Sequence, residues 1–107
     1  MPQYVVKLTH TPDQCPMSNS KTREQLIKGE QEMPNLAAKL GLQIVAGPLA
    51  LVTEHESITI VESDKVEAVH EFVIQSGLVQ WNCARISPAV PLQQVMKDWE
   101  KMPPPLY

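Results

Sequence analysis

The chain has 107 residues, 43% hydrophobic and 20% charged, with a formal net charge of -3. That length fits a single domain over residues 1–107, and the composition is that of an ordinary globule. A negative balance with scattered Lys and Arg excludes the electrostatic footprint of a nucleic-acid or anionic-membrane binder, and no apolar run approaches the roughly 20 residues that span a bilayer.

The opening residues, Met1-Pro2-Gln3-Tyr4, lack the basic-then-apolar layout of a secretory signal, which points to the cytoplasm. Two cysteines, Cys15 and Cys83, make no disulfide framework and are expected as thiols. Tyr4 to Thr9 is β-branched and aromatic between Pro2 and Pro12 and reads as a strand. Alternation puts Tyr4, Val6, Leu8 and His10 on one face of it. Asn19 or Ser20 can cap the following helix, whose stripe is Leu26, Ile27, Met33, Leu36, Ala37 and Leu40. Gly29 and Pro34 predict a kink or two short helices, and Gly41 the stop. Leu42 to Val52 is a second strand with a bulge, bend or edge at Gly47-Pro48.

Ser57 to Val61 is a third strand after the turn Thr53-Glu54-His55-Glu56. Asp64 and Glu67 have capping-box spacing for a helix that buries Val66, Val69 and Val73 and ends at Gly77. Val79 to Ile86 is a fourth strand. Pro91 opens a last helix, where Leu92, Val95, Met96 and Trp99 recur at i, i+3, i+4 and i+7, and Pro103-Pro104-Pro105 stops it.

The order β-α-β-β-α-β-α is an α+β, ferredoxin-like split βαβ arrangement with an added C-terminal helix. It implies one antiparallel sheet of order 4-1-3-2, with helices on one face. The other face, read as carrying Val5, Thr9, Thr59 and Val61, is too apolar to leave wet. Pairing two sheets covers it, so a C2 homodimer burying more than ~1,000 Å² is expected, with the Leu106-Tyr107 tail reaching toward the partner.

This organisation resembles the dimeric α+β barrel superfamily. Cys15-Pro16-Met17-Ser18-Asn19, Leu36-Ala37-Ala38-Lys39-Leu40-Gly41 and Ser76-Gly77-Leu78-Val79-Gln80-Trp81-Asn82 are similar to a group of small, functionally uncharacterised bacterial proteins within it. The superfamily includes haem-degrading and quinol monooxygenases, lactone isomerases, haem peroxidases and ligand sensors, and fold does not choose among them.

Chemistry-bearing residues concentrate in His10-Thr11-Pro12-Asp13-Gln14-Cys15-Pro16-Met17-Ser18-Asn19, a loop stiffened by two prolines. The topology places His10 near His55 on one side and near Gln80-Trp81-Asn82 on the other. His10 is a candidate base or ligand. Cys15, beside a helix start, is a candidate nucleophile, redox thiol or soft ligand, and the faster of the two thiols to react. Trp81 can stack on a planar ligand while Asn82 hydrogen-bonds it. Asn19 and Ser18 cap the helix or, left free, form an anion-binding corner with Arg23. His70, on a helix border, and Cys83, mid-strand, read as structural.

Three functions fit. The first is a homodimer with one small-molecule pocket per subunit, lined by His10, Cys15, Asn19, His55, Trp81 and Asn82. As an enzyme it is a cofactor-independent oxygenase or isomerase with His10 as base. The second is a metal- or haem-binding protein using His10 with Cys15 or His55; His10, Cys15 and His55 together are a candidate three-ligand metal site whose types suit zinc, copper or iron, though no CxxC or HxxxH spacing supports it. The third is a non-catalytic sensing or interaction module. Neither nucleic acid nor membrane is expected as a partner, and the sequence names no cofactor.

Overall fold

A computed structural model describes residues 1–107 throughout. Seven main elements follow one another: β1 (Gln3–Thr9), α1 (Ser20–Leu40), β2 (Gln43–Leu51), β3 (Glu56–Glu62), α2 (Val66–Gln75), β4 (Cys83–Ala89) and α3 (Leu92–Asp98). Single 3-10 turns lie at Pro12–Gln14, Val52–Glu54, Leu78–Gln80 and Trp99–Lys101.

The strands form one antiparallel sheet ordered β2-β3-β1-β4, the 4-1-3-2 arrangement read from its other edge. In the register, Tyr4 opposes Val61 and Pro88, Val6 opposes Thr59 and Ile86, and Leu8 opposes Ser57 and Ala84. Directly opposed residues share a face, so all of these lie under the helices. There Val6, Leu8 and Val61 pack with Met33 and Ala37 of α1 and with Val69, Phe72 and Val73 of α2.

That register corrects the reading of the outer face. Thr59 and Val61 are buried in the helix-covered layer. The open face carries Val5, Ile58 and Ile60, joined by Leu49 opposite Ile58. Polar groups frame it, with Lys7 Nζ 3.3 Å from the Glu56 carboxylate and Gln3 Nε2 donating to Glu62 at 3.0 Å.

α1 is one helix of 21 residues. Pro34 does not break it, because Pro34 and Glu30 are both exposed and water can serve the carbonyl that proline leaves without a donor. Gly41, left-handed at φ 73°, ends it as the C-cap. Along β2 the pairing shifts register on either side of Ala46, a bulged edge strand. Gly47 sits in that irregularity at φ 88°, and a Cβ there would lie 2.6 Å from the Ile58 carbonyl oxygen. Only glycine fits.

Two other expectations change. Ser63, rather than Asp64, receives the Lys65 N–H at the entrance to α2 (3.1 Å). β4 begins at Cys83, because Gly77 turns left-handed after α2 and Leu78–Gln80 coils into a 3-10 turn. Leu92, Met96 and Trp99 of the C-terminal segment are exposed, and none of them joins the core. The Cα radius of gyration is 16.4 Å, against about 13 Å for a compact domain of this length, as expected for a terminal arm held away from the body. No helix is long and apolar enough to cross a membrane.

Candidate functional site

The site forms where β1 ends. Because β1 runs antiparallel to both neighbours, its C-terminal end meets the starts of β3 and β4. His10, in phase with Val6 and Leu8, projects into the layer beneath the helices. Its backbone N–H donates to the His55 carbonyl (3.1 Å), which joins the strand end to the β2–β3 turn. His55 itself is left-handed, at φ 53° and ψ 43°. Non-glycine residues adopt that conformation uncommonly, histidine somewhat more often than most. Here it closes the turn while the imidazole ring packs edge-on to that of His10, with centroids 5.6 Å apart.

The other flank is the turn before β4. His10 Nδ1 lies 3.2 Å from Asn82 Oδ1, and Asn82 Nδ2 donates to the Leu78 carbonyl at 3.1 Å. The second bond fixes the amide, so its oxygen faces His10. In the neutral ring this contact puts the proton on Nδ1 and leaves the lone pair on Nε2. Trp81 tilts against the same ring at a centroid distance of 5.4 Å.

The Cys15 loop closes the site from below. Its backbone folds on itself, with Cys15 N–H on Pro12 (3.2 Å) and the N–H groups of Ser18 and Asn19 both on the Cys15 carbonyl (2.9 and 2.8 Å). Asn19 is the N-cap of α1, accepting from the N–H groups of Lys21 and Thr22 at 3.0 and 3.1 Å. Its amide nitrogen donates to the Asp13 carbonyl (3.0 Å). Arg23 Nε and Nη2 donate to the Pro16 and Met17 carbonyls at 2.8 and 2.9 Å. Asn19 and Arg23 thus hold the loop and do not line the cavity. Asn19 caps the helix as read, and the alternative anion corner does not form, because the Asn19 oxygen and the Arg23 guanidinium are already engaged.

Cys15 is 6% exposed, whereas Cys83 is exposed on the open sheet edge. This reverses the expected order of thiol accessibility. The loop fold that positions Cys15 also encloses it. Asp13 lies at the loop surface. The Thr11 hydroxyl first, then backbone and side-chain donors of Asp13 and Gln14, hold its carboxyl below the usual value.

A cavity of about 170 Å³ opens beside these groups. The structure gathers His10, Cys15, His55, Trp81 and Asn82 around it, with an apolar wall that includes Leu8, Leu26 and Leu78. Ala50, Leu51 and Val52 form its rim. That rim went unread in the sequence, although the β2–β3 hairpin necessarily brings the end of β2 to the His10 end of the sheet. Gln80 faces away and accepts from Gln25 Nε2 at 3.3 Å. His70 is exposed on α2, and Cys83 lies outside the cavity.

Two buried polar atoms lack hydrogen-bond partners: His10 Nε2 and His55 Nδ1. One ring nitrogen of each histidine and the Cys15 Sγ lie within 4.8 Å of one another. Such a cluster can accept a proton, anchor a polar group of a ligand, or ligate a soft ion. No family model, curated protein or solved structure matches the chain.

Proposed function

We propose that this protein binds a small, mostly apolar molecule in the cavity at the His10 end of its sheet, and that it works as a homodimer. The observation that carries the first part is an apolar-walled cavity lined by His10 and His55, each of which keeps one buried ring nitrogen without a partner beside it. A buried polar atom without a partner opposes folding, and a ligand polar group placed there offsets that cost. A volume near 150 Å³ accommodates a single aromatic ring, which sets the scale of the buried part of the ligand. The lone pair on His10 Nε2 is suited to proton abstraction, the step a cofactor-independent oxygenase or isomerase requires. Resemblance to the dimeric α+β barrels supports the same reading.

Support for the dimer comes from what one chain leaves uncovered. Only 14 of 107 residues are buried, while Val5, Ile58 and Ile60 face outward across the sheet centre and Leu92, Met96 and Trp99 stand exposed on the C-terminal arm. A second copy covers both surfaces by C2 symmetry.

Phenol tests the pocket, since it combines one ring with one donor. In heteronuclear NMR it is expected to shift the resonances of His10, Trp81 and Leu78. His10→Ala should weaken phenol binding about 10-fold, the worth of one hydrogen bond, while sedimentation still shows a dimer. Shifts confined to other surfaces, or equal affinity in His10→Ala, would defeat the pocket reading. A monomer at micromolar concentration would defeat the dimer.

A further inference from the structure

The cluster at the cavity wall has a second capacity that does not depend on any organic ligand. We propose that His10 Nε2, His55 Nδ1 and Cys15 Sγ form a three-ligand site for a thiophilic transition ion of the zinc or copper class, with the remaining coordination position open to the cavity.

Donor chemistry is the first argument. Two imidazoles and one thiol suit zinc, copper or iron, whereas hard ions such as magnesium and calcium take oxygen ligands. Catalytic zinc sites commonly have three protein ligands and one open position. A ring nitrogen of each histidine and the Cys15 sulfur lie within 4.8 Å of one another, and bond lengths near 2.0–2.3 Å would bring three donors to roughly 3.3–3.8 Å apart. The ligands sit at a strand end, a loop and a turn, and side-chain rotation there covers the difference.

The second argument is the outer layer. Asn82 accepts the His10 Nδ1 proton and is itself held by Leu78. That arrangement selects the tautomer in which Nε2 is free to ligate, the role that oxygen acceptors play behind metal-bound histidines. On the other side, His55 occupies a left-handed position where glycine is less strained.

Third, both candidate nitrogens are buried without partners, and the thiol beside them is buried as well. An ion supplies the missing partner to both nitrogens and a bond to the sulfur at once. Binding a divalent ion breaks the Cys15 S–H bond and forms an S–metal bond. The proton goes to solvent, and both imidazoles donate neutral lone pairs. No oxidant or reductant is involved. Haem does not fit, because about 170 Å³ is close to one aromatic ring and far short of a four-ring macrocycle.

The experiment uses the full chain carrying Cys83→Ser, kept reduced with a phosphine, and titrates it with cobalt(II). One equivalent per chain should produce a near-ultraviolet sulfur-to-cobalt charge-transfer band. Zinc or copper(I) should abolish it, and millimolar magnesium should not. Cys15→Ser should remove the band. His10→Gln and His55→Asn should each weaken binding by more than about 100-fold, beyond the 10–100-fold expected when the outer partner is removed in Asn82→Ala. Asn82→Ala keeps all three ligands, so it remains decisive where a ligand variant fails to fold by circular dichroism. Absence of the band, its persistence in Cys15→Ser, displacement by magnesium, or unchanged affinity in Asn82→Ala each overturns the site. Phenol binding to metal-free protein without cobalt binding defeats the metal site alone, and cobalt binding without phenol binding defeats the organic pocket alone.

Discussion

Residues 10–19 and residues 90–107 both leave the sheet from a strand end, and both carry prolines. Within the first, the backbone and the Ser18 and Asn19 side chains find partners nearby. Ser18 Oγ donates to the Pro12 carbonyl at 3.1 Å, Asn19 joins the loop to α1, and Arg23 reaches back to two carbonyls. The second segment has a good amphipathic helix and nothing to lay it on. Proline stiffening is thus not what fixes a segment. A loop becomes a site when its backbone groups are satisfied within the same chain, and an apolar stripe without a surface to cover awaits another molecule.

The sharpest way to break that contrast is through the two thiols. If the Cys15 loop is as closed as its hydrogen bonds imply, Cys83 labels first. Cys15 waits for local opening and should lag by on the order of 100-fold, an opening free energy of about 2.7 kcal/mol. Timed mass spectrometry with a maleimide reads both rates. Equal rates would put residues 10–19 on the same footing as the C-terminal arm.

Next in size is Trp99→Ala. If Trp99 lies at the centre of the proposed dimer interface, where a large aromatic is typically worth about 2 kcal/mol or more, the dissociation constant should rise roughly 30-fold by sedimentation equilibrium. The stability of the single chain, read by urea denaturation at concentrations below dissociation, should move by less than ~0.5 kcal/mol. A large loss of chain stability instead would show that the arm packs on its own body.

Asn19→Ala probes the closed segment in the same terms. It removes the cap of α1 and the tie to Asp13 together, and a cap alone is worth about 1–2 kcal/mol. Urea denaturation should show that loss, and Cys15 labelling should accelerate in the same variant. A stability loss without faster labelling would separate the cap from the loop.

These residues also show which parts of the molecule are legible in sequence. His10 is readable because strand alternation from Val6 and Leu8 fixes its face, and antiparallel topology then fixes its neighbours. The Asn19 cap is readable because the chemistry is local. The faces of Thr59 and Val61 are not, since both strands alternate and only the pairing register decides which alternate face is inward. The start of β4 misleads because Leu78 and Val79 look like strand, while the left-handed Gly77 before them directs a turn. Cys15 is legible either as a donor or as a small buried residue, and the choice stays open in sequence because its enclosure comes from hydrogen bonds made by Ser18, Asn19 and Arg23 several residues away. The site was legible where it followed from order and parity, and hidden where it depended on loop conformation.

The smallest effect is expected at Asp13, and its value lies in its sign. The Thr11 hydroxyl, followed by donors of Asp13 and Gln14, favours the carboxylate in the folded chain. The folded pKa is therefore below the unfolded one. Such a group contributes stability that is fully present above the unfolded value, near 3.9, and is lost as pH falls through the folded value. Asp13→Asn removes the charge and leaves the shape nearly intact. Melting temperatures of the two proteins should differ slightly at pH 6, with the parent higher, and should converge as pH is lowered past the carboxylate range. Because the side chain is fully exposed, solvent screening keeps the gap small. It should shrink further in high salt. A gap that persists unchanged into strong acid would mean that Asp13 acts through loop geometry and not through its charge, and that the surface of the loop is held as firmly as its buried side.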